Sequence, residues 1–204
     1  MALAVLAPLL CALAVCIWLE DRGPVLYRGL RVGLGGKPFR IFKFRSMVIN
    51  AEKIGGPSTA DGDPRITRVG RFVRKYKLDE WPQLINVVMG DMSLVGPRPE
   101  VPQYVALYSE EERAILTVRS GITDWATLWN PDEGAVLAGS PDPEKTYLEK
   151  IRPVKIRLQL HYVRTRSLWT DLTIIARTLA AMIFRLKPQA MAVSDEKGAL
   201  PYGA

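Results

Sequence analysis

Asp79 and Glu80 stand side by side in Lys77-Leu78-Asp79-Glu80-Trp81-Pro82-Gln83, and Arg74 lies five residues before the first acid. A carboxylate at a helix start stays ionised, because free backbone N–H groups and the helix dipole favour the anion. An ionised aspartate can attack phosphorus and form an aspartyl phosphate. A second carboxylate beside it can hold Mg2+, a hard cation that prefers oxygen ligands. That metal would screen a diphosphate that otherwise repels the attacking anion. Arg74 could bind the transferring phosphoryl group. Gly96-Pro97-Arg98-Pro99 adds an arginine on backbone stiffened by two prolines, a good phosphate or nucleotide contact. Each feature also has a plainer reading. Asp79 can be an ordinary helix N-cap with Pro82 in the first turn, and Arg98 a surface side chain on a turn. On the bare motif the cap is the default.

These residues need elements to hold them. Arg65, Arg68, Arg71 and Arg74 recur every three residues, which places them near one face of a helix over Thr67 to Tyr76, with Phe72, Val73 and Tyr76 on its apolar side. Leu84 to Met89 continue as a helix that Gly90 stops. Val25-Leu26-Tyr27 and Phe39 to Phe44 read as two short strands, turned by Gly33, Gly35, Gly36 and Pro38. Gly-Leu-Gly-Gly-Lys-Pro does not have the glycine spacing or the hydroxyl residue of a P-loop. Ser109 with Glu112 fits a capping box that opens a helix through Val118. A long helix follows Pro153, and then Leu168, Trp169, Leu172, Ile175, Leu179 and Met182 recur at helical spacing with Arg177, Arg185 and Lys187. Trp with basic residues suits a helix lying on anionic lipid, and a packed core helix with a solvated basic face is the alternative.

The chain has 204 residues, 48% hydrophobic and 24% charged, with a net charge of +7. That length builds one domain with a real core. The basic balance points to an acidic partner: nucleic acid, an anionic membrane surface or a phosphorylated substrate. A single histidine, His161, excludes a histidine-based zinc site. Cys11 and Cys16 lie in an apolar run, where a metal site or disulfide is not expected. That run, Met1 to Leu19, has no charged side chain. A straight helix of this length reaches roughly 28 Å against a bilayer core of roughly 30 Å. Pro8 should kink it, so spanning and re-entrant forms are both open. The basic flank that follows, from Arg22 to Arg45, marks a cytoplasmic side.

In this order the motifs resemble the bacterial sugar transferases known as monotopic phosphoglycosyl transferases, over residues 1 to about 187. The resemblance rests on Pro8, Gly23-Pro24-Val25, Arg31 with Gly33 and Gly36-Lys37, and Lys43-Phe44-Arg45-Ser46-Met47. It continues through Arg74, Leu78 to Leu84, Asn86-Val87, Gly90 to Ser93 and Gly96 to Pro99. It implies transfer of a phospho-sugar from a UDP-sugar to polyprenyl (undecaprenyl) phosphate with release of UMP. That is the first membrane step of a bacterial polysaccharide, O-antigen or glycoprotein glycan. Asp79 would be the nucleophile, Glu80 with Asp79 would hold Mg2+, and Lys43, Arg74 and Arg98 would contact phosphates or nucleotide. Pro8 would bend the first helix into a re-entrant hairpin.

The implied fold is helix-dominated α+β. Residues 1–22 form the re-entrant helix, 23–187 a cytoplasmic catalytic domain with a small β-hairpin and interfacial helices, and 188–204 a flexible tail. The implied setting is the cytoplasmic face of the bacterial inner membrane, with membrane lipid and no nucleic acid as partner, and a homo-oligomer is compatible with it.

Two departures stand out. Only seven residues precede Pro8, where the family often has about fifteen, so the natural chain could start earlier. Ser120-Gly121-Ile122-Thr123-Asp124 replaces the more usual Pro-Gly-Ile-Thr-Gly, and the arginine of the following family segment has no counterpart through Glu133. A distinct sugar specificity is expected there. Two rival functions remain. Asp61 and Asp63 form an Asp-x-Asp pair that serves metal-dependent nucleotide-sugar glycosyltransferases, although a solvated turn is the simpler reading and the chain has few strands for such a fold. The other is a non-catalytic membrane-bound adaptor.

Overall fold

A computed structural model of the protein describes residues 2–184, so Arg185, Lys187 and the expected tail lie outside the described residues. The fold is helix-dominated with two small sheets, as an α+β reading requires.

The first helix, α1 (Ala2–Asp21), contains Pro8, and helical structure continues on both sides of it. Among the described residues no helix is long and apolar enough to cross a membrane. Cys11 and Cys16 are free and exposed on α1. Leu13 and Ile17, one turn apart, are buried against Phe44 and Val73. The C-terminal end of α1 is clamped by polar groups as well. Arg45 grips the Asp21 carboxylate with two nitrogens, and the Glu20 carboxylate accepts hydrogen bonds from Arg68 N at 2.7 Å and Val69 N at 3.2 Å.

Strands β1 (Leu26–Val32) and β2 (Pro38–Phe44) form an antiparallel hairpin in register Leu26↔Phe44 to Val32↔Pro38. The first strand runs five residues past its expected end at Tyr27, because it pairs with β2 along its whole length; Arg28 is exposed and Arg31, on the opposite face, is half-buried. The short α2 (Ala51–Ile54) precedes the stretch that holds Asp61 and Asp63, and α3 (Arg68–Lys75) carries Arg68, Arg71 and Arg74 of the basic series, while Arg65 lies before it, paired with Asp63. Thr67 caps α3 by accepting from Gly70 N at 2.9 Å. Gly70 is required for a close approach: a Cβ there would collide with the Ser46 backbone carbonyl.

Next come a 3-10 turn over Leu78–Glu80, α4 (Gln83–Met89) and β3 (Ser93–Val95). Gly90 ends α4 with φ 86°, the left-handed stop read from the sequence. Then follow α5 (Pro102–Val105), a 3-10 segment Glu112–Thr117 and β4 (Gly121–Thr123). The Ser109/Glu112 box is present, with hydrogen bonds of 3.0 and 3.2 Å, but it opens 3-10 structure rather than the α-helix expected. β3 pairs with β4 in parallel, a contact between runs of three residues that sequence periodicity could not reveal.

The rest is α6 (Trp125–Trp129), α7 (Glu133–Leu137), α8 (Pro143–Thr146), a π turn, α9 (Arg152–Thr165) and α10 (Leu168–Phe184). Trp125, Leu158, Tyr162 and Ile174 pack with Val95 into one core cluster, so α9 and α10 close over the parallel pair.

Candidate active site

Asp79 and Glu80 lie in the 3-10 turn, not at the head of an α-helix. Lys77 opens that turn with a left-handed backbone (φ 54°), and Pro82 heads α4 without a side-chain cap. The cap expected of Asp79 is therefore absent. Asp79 is buried, and its carboxyl accepts no hydrogen bond among the described residues. Burial pushes this carboxyl up from the usual aspartate range; Lys43 opposes that shift and Glu80 adds to it. Arg74, in the last turn of α3, and Lys77 also favour its anion. The helix dipole expected to keep Asp79 charged is thus absent; burial disfavours its anion, and the neighbouring cations offset only part of that cost.

Glu80 is in a different state. Its Oε1 accepts from Lys43 Nζ at 3.1 Å and from Arg98 Nη2, and its Oε2 accepts from Arg98 Nη1 at 3.0 Å. Burial alone would raise Glu80, but Arg98 and Lys43 outweigh it and hold the carboxyl far below its ordinary value. Arg98 is raised in turn, because Glu80 overcomes the cost of its burial. Lys43 is lowered, since burial exceeds the pull of Glu80. Three of the expected residues, Lys43, Glu80 and Arg98, form one bonded set. Arg74 joins it through Asp79 by charge alone, with no ion pair among the described residues.

The set is held by residues whose roles the spacing did not disclose. Asn86 on α4 is fully buried. Its Oδ1 accepts from Phe42 N at 2.9 Å and its Nδ2 donates to Arg40 O at 2.8 Å. It thereby bonds the free edge of β2 as another strand would, and fixes α4 against the strand that carries Lys43. Gly96, at φ 154°, passes so close to Arg119 and Gly121 that only glycine fits, and the Arg98 loop starts there. Asp124, also fully buried, accepts from Arg98 N at 3.2 Å and Gln159 Nε2 at 3.2 Å, and caps α6 through Thr127 N at 2.7 Å. Gln159 donates to Arg98 O at 3.3 Å. Asp124 stands where the sequence departs from the family pattern, and its signal was a cap residue three before Thr127.

Asp63 is engaged elsewhere: Arg65 Nη2 lies 2.7 Å from its Oδ2, and Arg65 N donates to its Oδ1 at 2.9 Å. Arg65 also lowers the Asp63 carboxyl below its usual range. Asp61 is exposed. Among the described residues no three His, Cys, Asp or Glu side chains are grouped to hold a metal. Mg2+ commonly takes one or two carboxylates and completes its shell with water and substrate phosphates. The unbonded oxygens of Asp79 and the remaining lone pair on Glu80 Oε2 fit that pattern.

A family model described as bacterial sugar transferase matches residues 1–185. The chain belongs to that family. Over 185 residues it is 40% identical to a UDP-N-acetylgalactosamine-undecaprenyl-phosphate N-acetylgalactosaminephosphotransferase of Aeromonas hydrophila, covering 89% of this chain and 41% of that protein. It is 41% identical over 186 residues to a UDP-glucose:undecaprenyl-phosphate glucose-1-phosphate transferase of Caulobacter vibrioides, covering 88% and 64%. It is 37% identical to the Escherichia coli K12 protein of the same description, covering 87% and 36%. The chain therefore spans between about a third and two thirds of the length of these relatives.

Proposed function

We propose that the chain transfers a phospho-sugar from a UDP-sugar to polyprenyl phosphate, through a covalent intermediate on Asp79. The observation that carries this reading is a buried aspartate, hydrogen-bonded to nothing among the described residues and set among the cations Lys43, Arg74 and Lys77, beside the Glu80 that holds Arg98. Such a site attracts a diphosphate and leaves one carboxylate free to attack it. An Asp79 oxygen bonds to the β-phosphorus as the bond from that phosphorus to the bridging oxygen breaks, and UMP leaves. A phosphate oxygen of the polyprenyl acceptor then attacks the same phosphorus. The acyl phosphate bond breaks, and Asp79 is restored with release of polyprenyl-diphosphate-sugar. Arg98 is held rigid by Glu80, so it is preorganised to bind phosphate oxygens. Asp79 and Glu80 would hold Mg2+, which when bound screens the negative charge of the diphosphate.

The substrates are those named for the relatives. The exposed apolar residues of α10, Leu168, Trp169, Ile183 and Phe184, and the charge-free start of α1 suit contact with the cytoplasmic face of the bacterial inner membrane. Pro8 would bend α1 into a re-entrant hairpin within that membrane. The full chain in detergent, given a UDP-sugar, Mg2+ and polyprenyl phosphate, should release UMP. Release of UDP would instead favour glycosyl transfer at Asp61 and Asp63, and lipid binding without turnover would favour an adaptor.

A further inference from the structure

The face of α9 that carries Lys155 and Gln159, one turn apart, fastens two stretches of chain side by side. Gln159 holds Arg98 O and Asp124. Lys155 Nζ lies 2.6 Å from Glu100 Oε1 and 3.0 Å from Glu133 Oε1. Glu100 is two residues beyond Arg98, so the Glu133 carboxylate is anchored next to the Arg98 loop. Arg98 and Lys43 both act on the charge of Glu133, and Glu133 acts on Arg98. Lys155 overcomes the burial cost and keeps Glu133 ionised.

Glu133 is also the exposed member of this group. Its side chain is 39% accessible, against 7% for Lys155 and 11% for Glu100. Among the described residues its Oε2 accepts no hydrogen bond, whereas Oε1 is taken by Lys155. Its backbone is fixed as the first residue of α7, which Asp132 caps through Ala135 N at 3.2 Å. Gly134 O accepts from Asp61 N at 2.9 Å on the other side. The carboxylate edge is thus rigid, charged and open.

An anionic edge cannot approach the phosphates that Arg98 and Lys43 attract. The part of a nucleotide sugar that is neutral, rich in O–H and N–H donors and bonded directly to the β-phosphate is the glycosyl unit. We propose that Glu133 Oε2 accepts a hydrogen bond from a hydroxyl or amide N–H of that glycosyl unit, which makes Glu133 a sugar-recognising residue of the site. This rests on the reading of Lys43 and Arg98 as the phosphate contacts. It gives a role to the 124–133 segment, where the chain departs from the family pattern.

The test compares binding of UDP with binding of UDP-glucose, UDP-galactose, UDP-N-acetylglucosamine and UDP-N-acetylgalactosamine, by titration calorimetry on the full chain in detergent. Glu133→Gln should weaken the best-bound UDP-sugar by about tenfold or more, the worth of a hydrogen bond to a charged acceptor, and should not weaken UDP, because it removes a negative charge that acts on Arg98 and Lys43. Glu133→Asp, which keeps the charge but withdraws it by one methylene, should give the same selective loss and serves if the glutamine variant does not fold. Equal weakening of UDP and UDP-sugar, or no weakening of either, overturns the assignment. Product identity is read separately: wild-type release of UDP in place of UMP would count against phospho-sugar transfer, while the binding comparison still decides Glu133.

Discussion

Asp124→Ala tests whether the divergent segment supports the site. The fully buried Asp124 carboxyl receives Arg98 N, Gln159 Nε2, Thr127 N and Thr127 Oγ1. Alanine removes the acceptor of all four, and only Gln159 Nε2 keeps another partner, Arg98 O. A lost N-cap costs about 1 kcal/mol, and each stranded buried donor costs about 1–3 kcal/mol, less where it finds water. Summed with allowance for overlap, the change should destabilise the fold by about 3–5 kcal/mol. For a chain of this size that lowers Tm by roughly 6–20 °C. Asp124→Asn keeps a side-chain oxygen for the cap and should cost about 1–2 kcal/mol. Thermal unfolding followed by tryptophan fluorescence, at fixed protein and detergent concentration, measures both, and Trp125 is adjacent. Below the new Tm, the alanine variant should still lose kcat/KM by about tenfold or more, because the Arg98 backbone is no longer pinned. A Tm within 2 °C of wild type, or an asparagine variant as unstable as the alanine one, would refute the role assigned to this carboxyl.

Other expectations follow from the same geometry. Asp79→Asn should raise Tm at neutral pH. Burial raises the folded pKa of Asp79, so the stability it contributes is present at low pH and lost as pH rises through that value. The gain should shrink as pH falls toward the ordinary aspartate range, and Tm read across a pH series checks it. Glu80→Gln should behave oppositely. Its folded pKa is depressed, so its stabilisation of about 3 kcal/mol, the worth of one partner in a mostly buried ion network, is present above the ordinary glutamate value and lost as pH falls. Gly70→Ala should cost about 1–3 kcal/mol of stability by overpacking α3 against the Ser46 carbonyl, seen as a lower Tm. Joint replacement of the exposed Leu168 and Trp169 by serine should weaken sedimentation with anionic vesicles and leave Tm within about 2 °C, as surface changes do.

Local chemistry was well disclosed by the sequence. The hairpin, the basic helix, the Gly90 stop and the Arg98 loop could all be read from residue type, because each is decided by neighbours a few positions away. The cap assigned to Asp79 was wrong for a local reason too: a left-handed Lys77 and the proline at position 82 leave the two acids in a 3-10 turn. What pattern could not supply was long-range pairing. Asn86 with β2, Asp124 with Arg98, and Lys155 with Glu100 and Glu133 join residues 22 to 55 positions apart. A lone Asn or Lys in a helix carries no mark of its distant partner. Lys155 and Gln159 do interrupt the apolar face of α9, and two buried polar residues one turn apart are a signal that such partners exist.

The most direct test of the mechanism is intact-mass and peptide analysis of the full chain after exposure to a UDP-sugar and Mg2+ without lipid acceptor. Transfer through Asp79 predicts UMP in solution and a phospho-sugar adduct on the peptide that contains Asp79. The adduct should disappear when polyprenyl phosphate is added and should be missing in Asp79→Asn. Full turnover by Asp79→Asn, or wild-type turnover with no adduct on that peptide under acceptor-free conditions, would contradict it.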